Sequence, residues 1–390
     1  MLYAAHSGFG NQELALRRAL LVAYVANRTL VMPPILRQSD LAFGPPEVRC
    51  RNASWQDHLQ RRAEALYASK VTAAAYESLR EAYTFDEVEA LGMRVVDFRA
   101  LPPRVHASLD AAPLAPLGCA KADKYTAHKL RAALSPLDGA PTLRLGSSYF
   151  LKADLEGLRA SDPCFDALAS AVLRLPTAPR VRRAADAAMR QMRQPYASVH
   201  LRLADGGVAS SAASSATELQ QARAARQLLT RELEWLSNRL SKRLPRAGAE
   251  LYVASNVPDG VRSALLGPLC GPPTADTATY NCSDLGSLGA FSMPEWHDLV
   301  QTSSGDGSAS GVSSGTAALL LDQAISSAAN RGFFSTSKFC GPPGFRKSTF
   351  SEAIALQWQQ LHGAGKQPLC AHAMEKALLQ GRAAHGEFVY

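Results

Sequence analysis

The chain has 390 residues, of which 47% are hydrophobic and 19% charged, with a formal net charge of +8. That length exceeds what one hydrophobic core usually supports, so two soluble domains are expected and a disordered chain is excluded. The basic residues are scattered, without the Lys/Arg runs or interleaved aromatics of a nucleic-acid surface; no stretch reaches the roughly 18 apolar residues of a membrane span; and the seven cysteines hold no CxxC pair and hence no zinc motif.

Along the chain, residues 2–5 (LYAA) read as a short strand, Asn11 to Ala26 as a helix, and Thr29 to Met32 as a second strand stopped by Pro33-Pro34. Strand, glycine turn, helix and strand make a βαβ unit, whose usual outcome is a parallel sheet. From Ala19 to Ala26 the helix is apolar nearly all round, which predicts burial against that sheet and places Asn27 in packed structure. Helical patterns follow at 53–68 and 74–82, with a strand at Arg94 to Phe98. The alternating stretch TLRLGSSYF, 142–150, reads as a further strand, and helices follow at 163–174 and 178–193.

At Pro195 the texture changes. YASVHLRLAD is β-rich and ends in a polar cluster, 206–216 is a Gly/Ser/Ala loop, and leucines from Leu219 to Leu244 recur at the spacing of a crossover helix. Glu250 to Ser255 is a strand, Pro258 to Leu266 a helix, 303–316 a low-complexity loop, Thr316 to Ala329 a helix, Gly332 to Thr336 a strand and Ser348 to Leu361 a helix. The expected organisation is an α/β fold of two Rossmann-like domains, residues 1–193 and 194–365, with a tail at 366–390. Two such domains facing each other leave a cleft at the carboxyl ends of their strands.

Three short stretches carry the chemistry. In His200-Leu201-Arg202-Leu203-Ala204-Asp205, His200 and Arg202 fall on one face of a strand's carboxyl end, where a guanidinium can grip a phosphate in two-pronged fashion; the alternative is a surface arginine beside a core histidine. In Arg346-Lys347-Ser348-Thr349-Phe350-Ser351-Glu352, hydroxyls open a helix, either as a phosphate site or as ordinary capping. In His6-Ser7-Gly8-Phe9-Gly10-Asn11, two glycines permit close backbone approach at a helix start without completing a dinucleotide fingerprint. Asp205 and Asp259 are candidate acids and Asn256 a candidate polar contact, but no Ser/His/Asp order, HExxH or Walker loop is present.

SGFGNQ before NRTLVMPP, then VHLRLAD, then FFST followed by KSTFSEAI together resemble the GDP-fucose-dependent O-fucosyltransferase family. The resemblance implies a GT-B fold, in which parallel sheets face each other across a cleft and the C-terminal domain holds the nucleotide sugar. It implies an inverting transfer of fucose from GDP-fucose to a hydroxyl of a protein or glycan, with no metal and no cofactor beyond that donor substrate. By motif, Arg202 holds the β-phosphate and stabilises the leaving GDP with His200 beside it, and Ser348, Thr349, Phe350 and Ser351 meet the phosphates or base. Gly8, Phe9, Gly10 and Asn11 close over the diphosphate and fucose, Arg202 and Asn11 being the catalytic pair. His6, Glu13 and Asp205 are the candidate bases.

The partners implied are the nucleotide-sugar donor and a protein or glycan acceptor, without nucleic acid. The implied compartment is the Golgi or ER lumen, which the sequons at Asn27, Asn52 and Asn281 permit. Two alternatives stand beside this reading. One is transfer of another sugar, because diphosphate contacts do not read the sugar. The other is a catalytically silent binding protein, favoured by Ser255-Asn256 where the family commonly has an Asp and by the long SKFCGPPGFRK segment.

Overall fold

The computed structural model describes residues 1–37, 39–41, 53–73, 75–109, 111–115, 117, 127–150, 164–201, 233–242, 244, 249–255, 266, 269–270, 279–300, 311–335 and 348–362. The chain forms two compact units, one built on Met1–Arg182 together with His297–Leu319, the other on Arg183–Trp296 together with Leu320–His372. Each carries a parallel sheet, so the architecture is α/β as expected.

In the first unit, helix α1 (Phe9–Val25) leads into strand β1 (Leu30–Met32), which pairs in parallel with β2 (Val95–Asp97), Leu30 opposite Val95 and Met32 opposite Asp97. The strand expected at 2–5 is extended backbone joined through single parallel bridges, Leu2 to Val31 on one side and Leu2 to Arg144 on the other. The Ala4 amide donates to the Gly146 carbonyl at 2.8 Å and so continues the pairing. Leu2, Ala4 and Val31 pack with Leu59, Ala63 and Tyr67 of helix α2 (Ala53–Thr72), which covers the sheet with apolar side chains. Thirteen of the 17 residues of α1 are buried, as its all-round apolar character requires.

The first unit departs from the expected elements at three places. Of the helix expected at 74–82, residues 75–82 are not helical; a single 3-10 turn, Leu79–Glu81, follows Ser78, whose hydroxyl accepts from the Arg80 amide. Tyr76 is drawn out of any helix because its hydroxyl donates to the Met32 carbonyl and accepts from the Phe98 amide. The strand at 142–150 shortens to bridges about Arg144, and Ser148–Phe150 turn into a 3-10 helix. Asn27 is exposed rather than packed: it sits at φ 50° and ends α1, its amide donating to the Tyr24 carbonyl at 2.9 Å while that of Arg28 donates to Ala23 at 2.8 Å. This pair of bonds is a Schellman cap, and an asparagine tolerates the left-handed conformation it needs.

The second unit holds a four-stranded parallel sheet in the order β5-β4-β3-β6, with β3 (Tyr196–Leu201), β4 (Glu250–Ser255), β5 (Asn281–Ser283) and β6 (Phe333–Ser335). Every residue of β3 is buried, as in a central strand covered on both faces. Its alternation sets the two faces apart. Ala197, Val199 and Leu201 pack with Leu236 and Leu240 of the helical stretch at 233–241 and with Leu244 beyond it. The opposite face meets helix α4 (Ser314–Ala328): the Tyr196 hydroxyl donates to the Ile325 carbonyl at 2.7 Å and the Ser198 hydroxyl to Ser326 at 2.8 Å. Helix α5 (Thr349–His362) follows β6. Cys270 and Cys282 form a disulfide with Cα atoms 5.4 Å apart. Among the described residues no helix is long and apolar enough to cross a membrane.

Several readings lie outside the described residues: the loops at 206–216 and 303–310, Leu219, most of the helix at 258–266, Asn52, four of the seven cysteines and the tail at 366–390.

Candidate functional site

The strand order places a topological switch beside β3: the chain goes from β3 to β4 and β5 on one side, then returns to β6 on the other. Ligands of open α/β sheets bind outside the carboxyl ends of the strands at such a switch. His200 is the penultimate residue of β3 and lies opposite Ser335, the last residue of β6.

A buried hydrogen-bonded chain forms there. His200 Nδ1 and Ser351 Oγ lie 2.6 Å apart, and Ser351 Oγ lies 2.7 Å from Ser335 Oγ. Ser351 and Ser335 are both 0% exposed, and His200 is buried beside them. Phe350 sets the edge of the cluster, its ring meeting the His200 ring edge to face with centroids 5.1 Å apart. Ser348 caps α5, its hydroxyl accepting from the Ser351 amide at 3.2 Å. The central and C-terminal motifs, 151 residues apart at His200 and Ser351, are therefore one constellation. Ser335 joins it without having been singled out in the sequence. Its only signal was a place in the strand GFFST, just before Thr336.

The chain can be polarised in either direction. If Ser335 donates to Ser351 and Ser351 to Nδ1, the imidazole proton resides on Nε2; the reverse order puts it on Nδ1. Of Thr349 only the backbone is described, at the start of α5, and Arg202, Asp205, Asn256 and Asp259 lie outside the described residues.

The opening motif belongs to the first unit. There α1 begins at Phe9, two residues before the expected start, and Gly8 is its extended N-cap residue at φ −66°. The unusual backbone falls on Ser7, at φ 62°. Its amide donates to the Leu41 carbonyl at 2.9 Å, and its own carbonyl accepts from Gln12 Nε2 at 2.8 Å. Gln12 also grips Leu36 in both directions, donating to its carbonyl at 2.8 Å and accepting from its amide at 2.9 Å. Gln12 thus clamps the turn to the loop after β1, a role the sequence reading did not give it. Phe9 is buried and stacks on Tyr83 with centroids 6.4 Å apart; Gly10 is buried in the first helical turn; and Asn11 is half-buried, its amide donating to the Gly8 carbonyl at 2.9 Å.

The candidate bases in this unit are engaged with protein groups. His6 is buried, with Nδ1 3.2 Å from the Ser7 hydroxyl and Nε2 2.5 Å from that of Ser147. Glu13 and Arg17 form an ion pair at 2.5 Å with both side chains 0% exposed, and Arg17 also donates to the carbonyls of Val172 and Leu173. Those carbonyls end helix α3 (Phe165–Arg174), so Arg17 neutralises a helix C-terminus inside the core and Glu13 neutralises Arg17.

O-fucosyltransferase 30 of Arabidopsis thaliana is 34% identical over 106 residues, a match covering 25% of this chain. The chain resembles the O-fucosyltransferases. The match spans 19% of that relative's length. A crystal structure of POFUT1 in complex with GDP-fucose is similar over 94% of both chains, at 14% identity and a TM-score of 0.47. A mutant of Arabidopsis thaliana FUT1 in complex with GDP is similar over 92% of this chain and 68% of that one, at 12% identity and a TM-score of 0.44. At such scores no residue of this O-fucosyltransferase-like chain takes a role from either structure. No protein-family model matches the chain.

Proposed function

We propose that the chain is a glycosyltransferase of GT-B type that transfers fucose from GDP-fucose to a hydroxyl of a protein or glycan, with inversion. The observation that carries this reading is the meeting of His200, Ser335 and Ser351 at the carboxyl ends of β3 and β6, in a chain that resembles an O-fucosyltransferase. A switch point lined by an imidazole, hydroxyls and a capped helix start suits a diphosphate.

Chemically, the leaving group is GDP, and what needs stabilising is the negative charge that grows on its β-phosphate as the glycosidic bond breaks. Arg202, the residue after β3, supplies a permanent cation for that charge, which a lysine could match only as a point charge. When Ser335 donates to Ser351 and Ser351 to Nδ1, the imidazole proton sits on Nε2, from which the ring donates a hydrogen bond to a phosphate oxygen. No residue is assigned as general base. A displacement with strongly dissociative character needs little assistance at the acceptor hydroxyl. In this reading arginine takes the place that a divalent cation fills in other transferases.

The lumen of the secretory pathway is the compartment that fits, since the Cys270–Cys282 disulfide persists where thiols are oxidised. A thermal-shift panel of nucleotides and nucleotide sugars tests the donor assignment. GDP and GDP-fucose are expected to raise the melting temperature, and UDP and UDP-sugars to leave it unchanged. Stabilisation by a uridine nucleotide in preference to GDP would overturn the assignment.

A further inference from the structure

The first unit carries a second cleft, at the amino ends of its strands. Thr29 before β1, Arg94 before β2 and Pro141 before the bridge at Arg144 frame a cavity of about 880 Å³. Arg28, Arg94 and Arg131 line it together with Asn27, Ser135 and Asp138. A smaller cavity of about 310 Å³ shares Asn27 and the same three arginines, so the two form one groove. A volume of this order holds a small molecule.

The charges in the groove are not balanced. Three guanidiniums face one carboxylate, that of Asp138. Arg28 is held in place, donating to the carbonyls of Leu137 at 3.0 Å and Asp138 at 2.8 Å and to that of Ala140. Arg94 and Arg131 are exposed, and among the described residues neither guanidinium has an ion pair or a hydrogen bond. The C-terminus of α1 also ends here, but its last carbonyls are occupied by the amides of Ala26, Asn27 and Arg28, which blunts the negative end of the helix. Cations that converge on one cavity repel one another until an anion enters, and a guanidinium's donor fork matches the edge of a tetrahedral oxyanion.

We infer that this groove is an anion site, taking a phosphate- or sulfate-bearing ligand on Arg94 and Arg131, with Arg28 as a fixed third charge. It lies at the amino ends of the strands of the first unit, whereas the donor constellation lies at carboxyl ends in the second. The inference does not rest on the proposed reaction.

Calorimetric titration of the full chain with inorganic pyrophosphate, and separately with inorganic sulfate, tests it. Arg94→Gln/Arg131→Gln is the informative variant because both side chains are exposed and its melting temperature should match the wild type, whereas Arg28→Gln would disturb the turn at 137–140. Wild type is expected to bind at least one of the two anions, with affinity falling as salt rises, and the double variant to bind it at least about tenfold more weakly. Tighter binding of pyrophosphate identifies a phosphate ligand and tighter binding of sulfate a sulfated one. Equal affinity in wild type and variant, or no heat from either anion with wild type, overturns the inference. A parallel titration with GDP alone reports on the donor site, so failure of one assignment is not mistaken for failure of the other.

Discussion

His200 Nδ1 and Ser351 Oγ are 2.6 Å apart, and the hydrogen bond between them joins the end of β3 to the first turn of α5. Ser335 Oγ stands 2.7 Å from the same hydroxyl and completes a buried chain of three. Replacing Ser351 with alanine leaves Nδ1 and the Ser335 hydroxyl without that partner in a site closed to water. The expected cost is about 1–3 kcal/mol of stability, read by urea denaturation. Because the hydroxyl also governs the imidazole tautomer, Ser351→Ala should shift the pH profile of turnover, with Ser351→Thr restoring it. A profile identical to wild type would show that the hydroxyl only packs.

The Glu13–Arg17 pair is the first unit's main buried electrostatic commitment among the described residues, both side chains being 0% exposed. Removing one partner strands the other charge in the core. Glu13→Gln is expected to lose about 3–5 kcal/mol on chemical denaturation. If Glu13 were instead a catalytic base, Glu13→Gln would lower turnover while leaving stability unchanged.

Alkaline stability follows from buried phenols. Burial first, and then neighbouring Tyr67 and Tyr76, hold Tyr3 well above the usual phenol range; burial and the Asp322 carboxylate do the same for Tyr252. Tyr67, Tyr76 and Tyr196 are raised too, chiefly by burial. A group whose folded pKa lies above its unfolded value stabilises the fold fully below the unfolded value, about 10 for tyrosine, and loses that contribution as pH rises through the folded one. Stability should therefore decline above about pH 10. Absorbance titration near the tyrosinate band should show these phenols ionising together with unfolding, and smooth ionisation of all tyrosines in the folded protein would contradict it.

The proposed chemistry gives arginine the place of a cation. GDP release from GDP-fucose should accordingly continue unchanged after exhaustive treatment with EDTA. Activity lost on chelation and restored by a divalent cation would refute that part of the account.

Much of the frame was legible because its signals were local. LVM before Pro33-Pro34, YASVHL after Pro195 and GFFST each read as a strand from β-branched and aromatic residues beside turn residues, and the structure has strands there. Where the reading failed, a distant partner had outweighed local preference. The helix formers around Tyr76 yield to hydrogen bonds with Met32 and Phe98, and Arg144 joins Leu2 and Leu114 by single bridges where a longer strand was expected. The candidate site was legible at His200 and Ser351 as motifs, but not as a contact. Gln12, Ser147 and Ser335 escaped notice because an amide or hydroxyl acquires its meaning only from what stands opposite. For Gln12 that is the backbone of Leu36, for Ser147 the ring of His6, for Ser335 the hydroxyl of Ser351.

Fucose transfer driven by charge stabilisation on departing GDP is tested by measuring GDP release by purified wild type and Arg202→Ala. With GDP-fucose, GDP-mannose and UDP-sugars offered in turn together with glycoprotein acceptors, wild type should release nucleotide from GDP-fucose alone. Arg202→Ala should do so at least about 100-fold more slowly while keeping its fold. Release from another donor but not from GDP-fucose, or an Arg202→Ala rate equal to that of wild type, would rule out fucose transfer driven by Arg202.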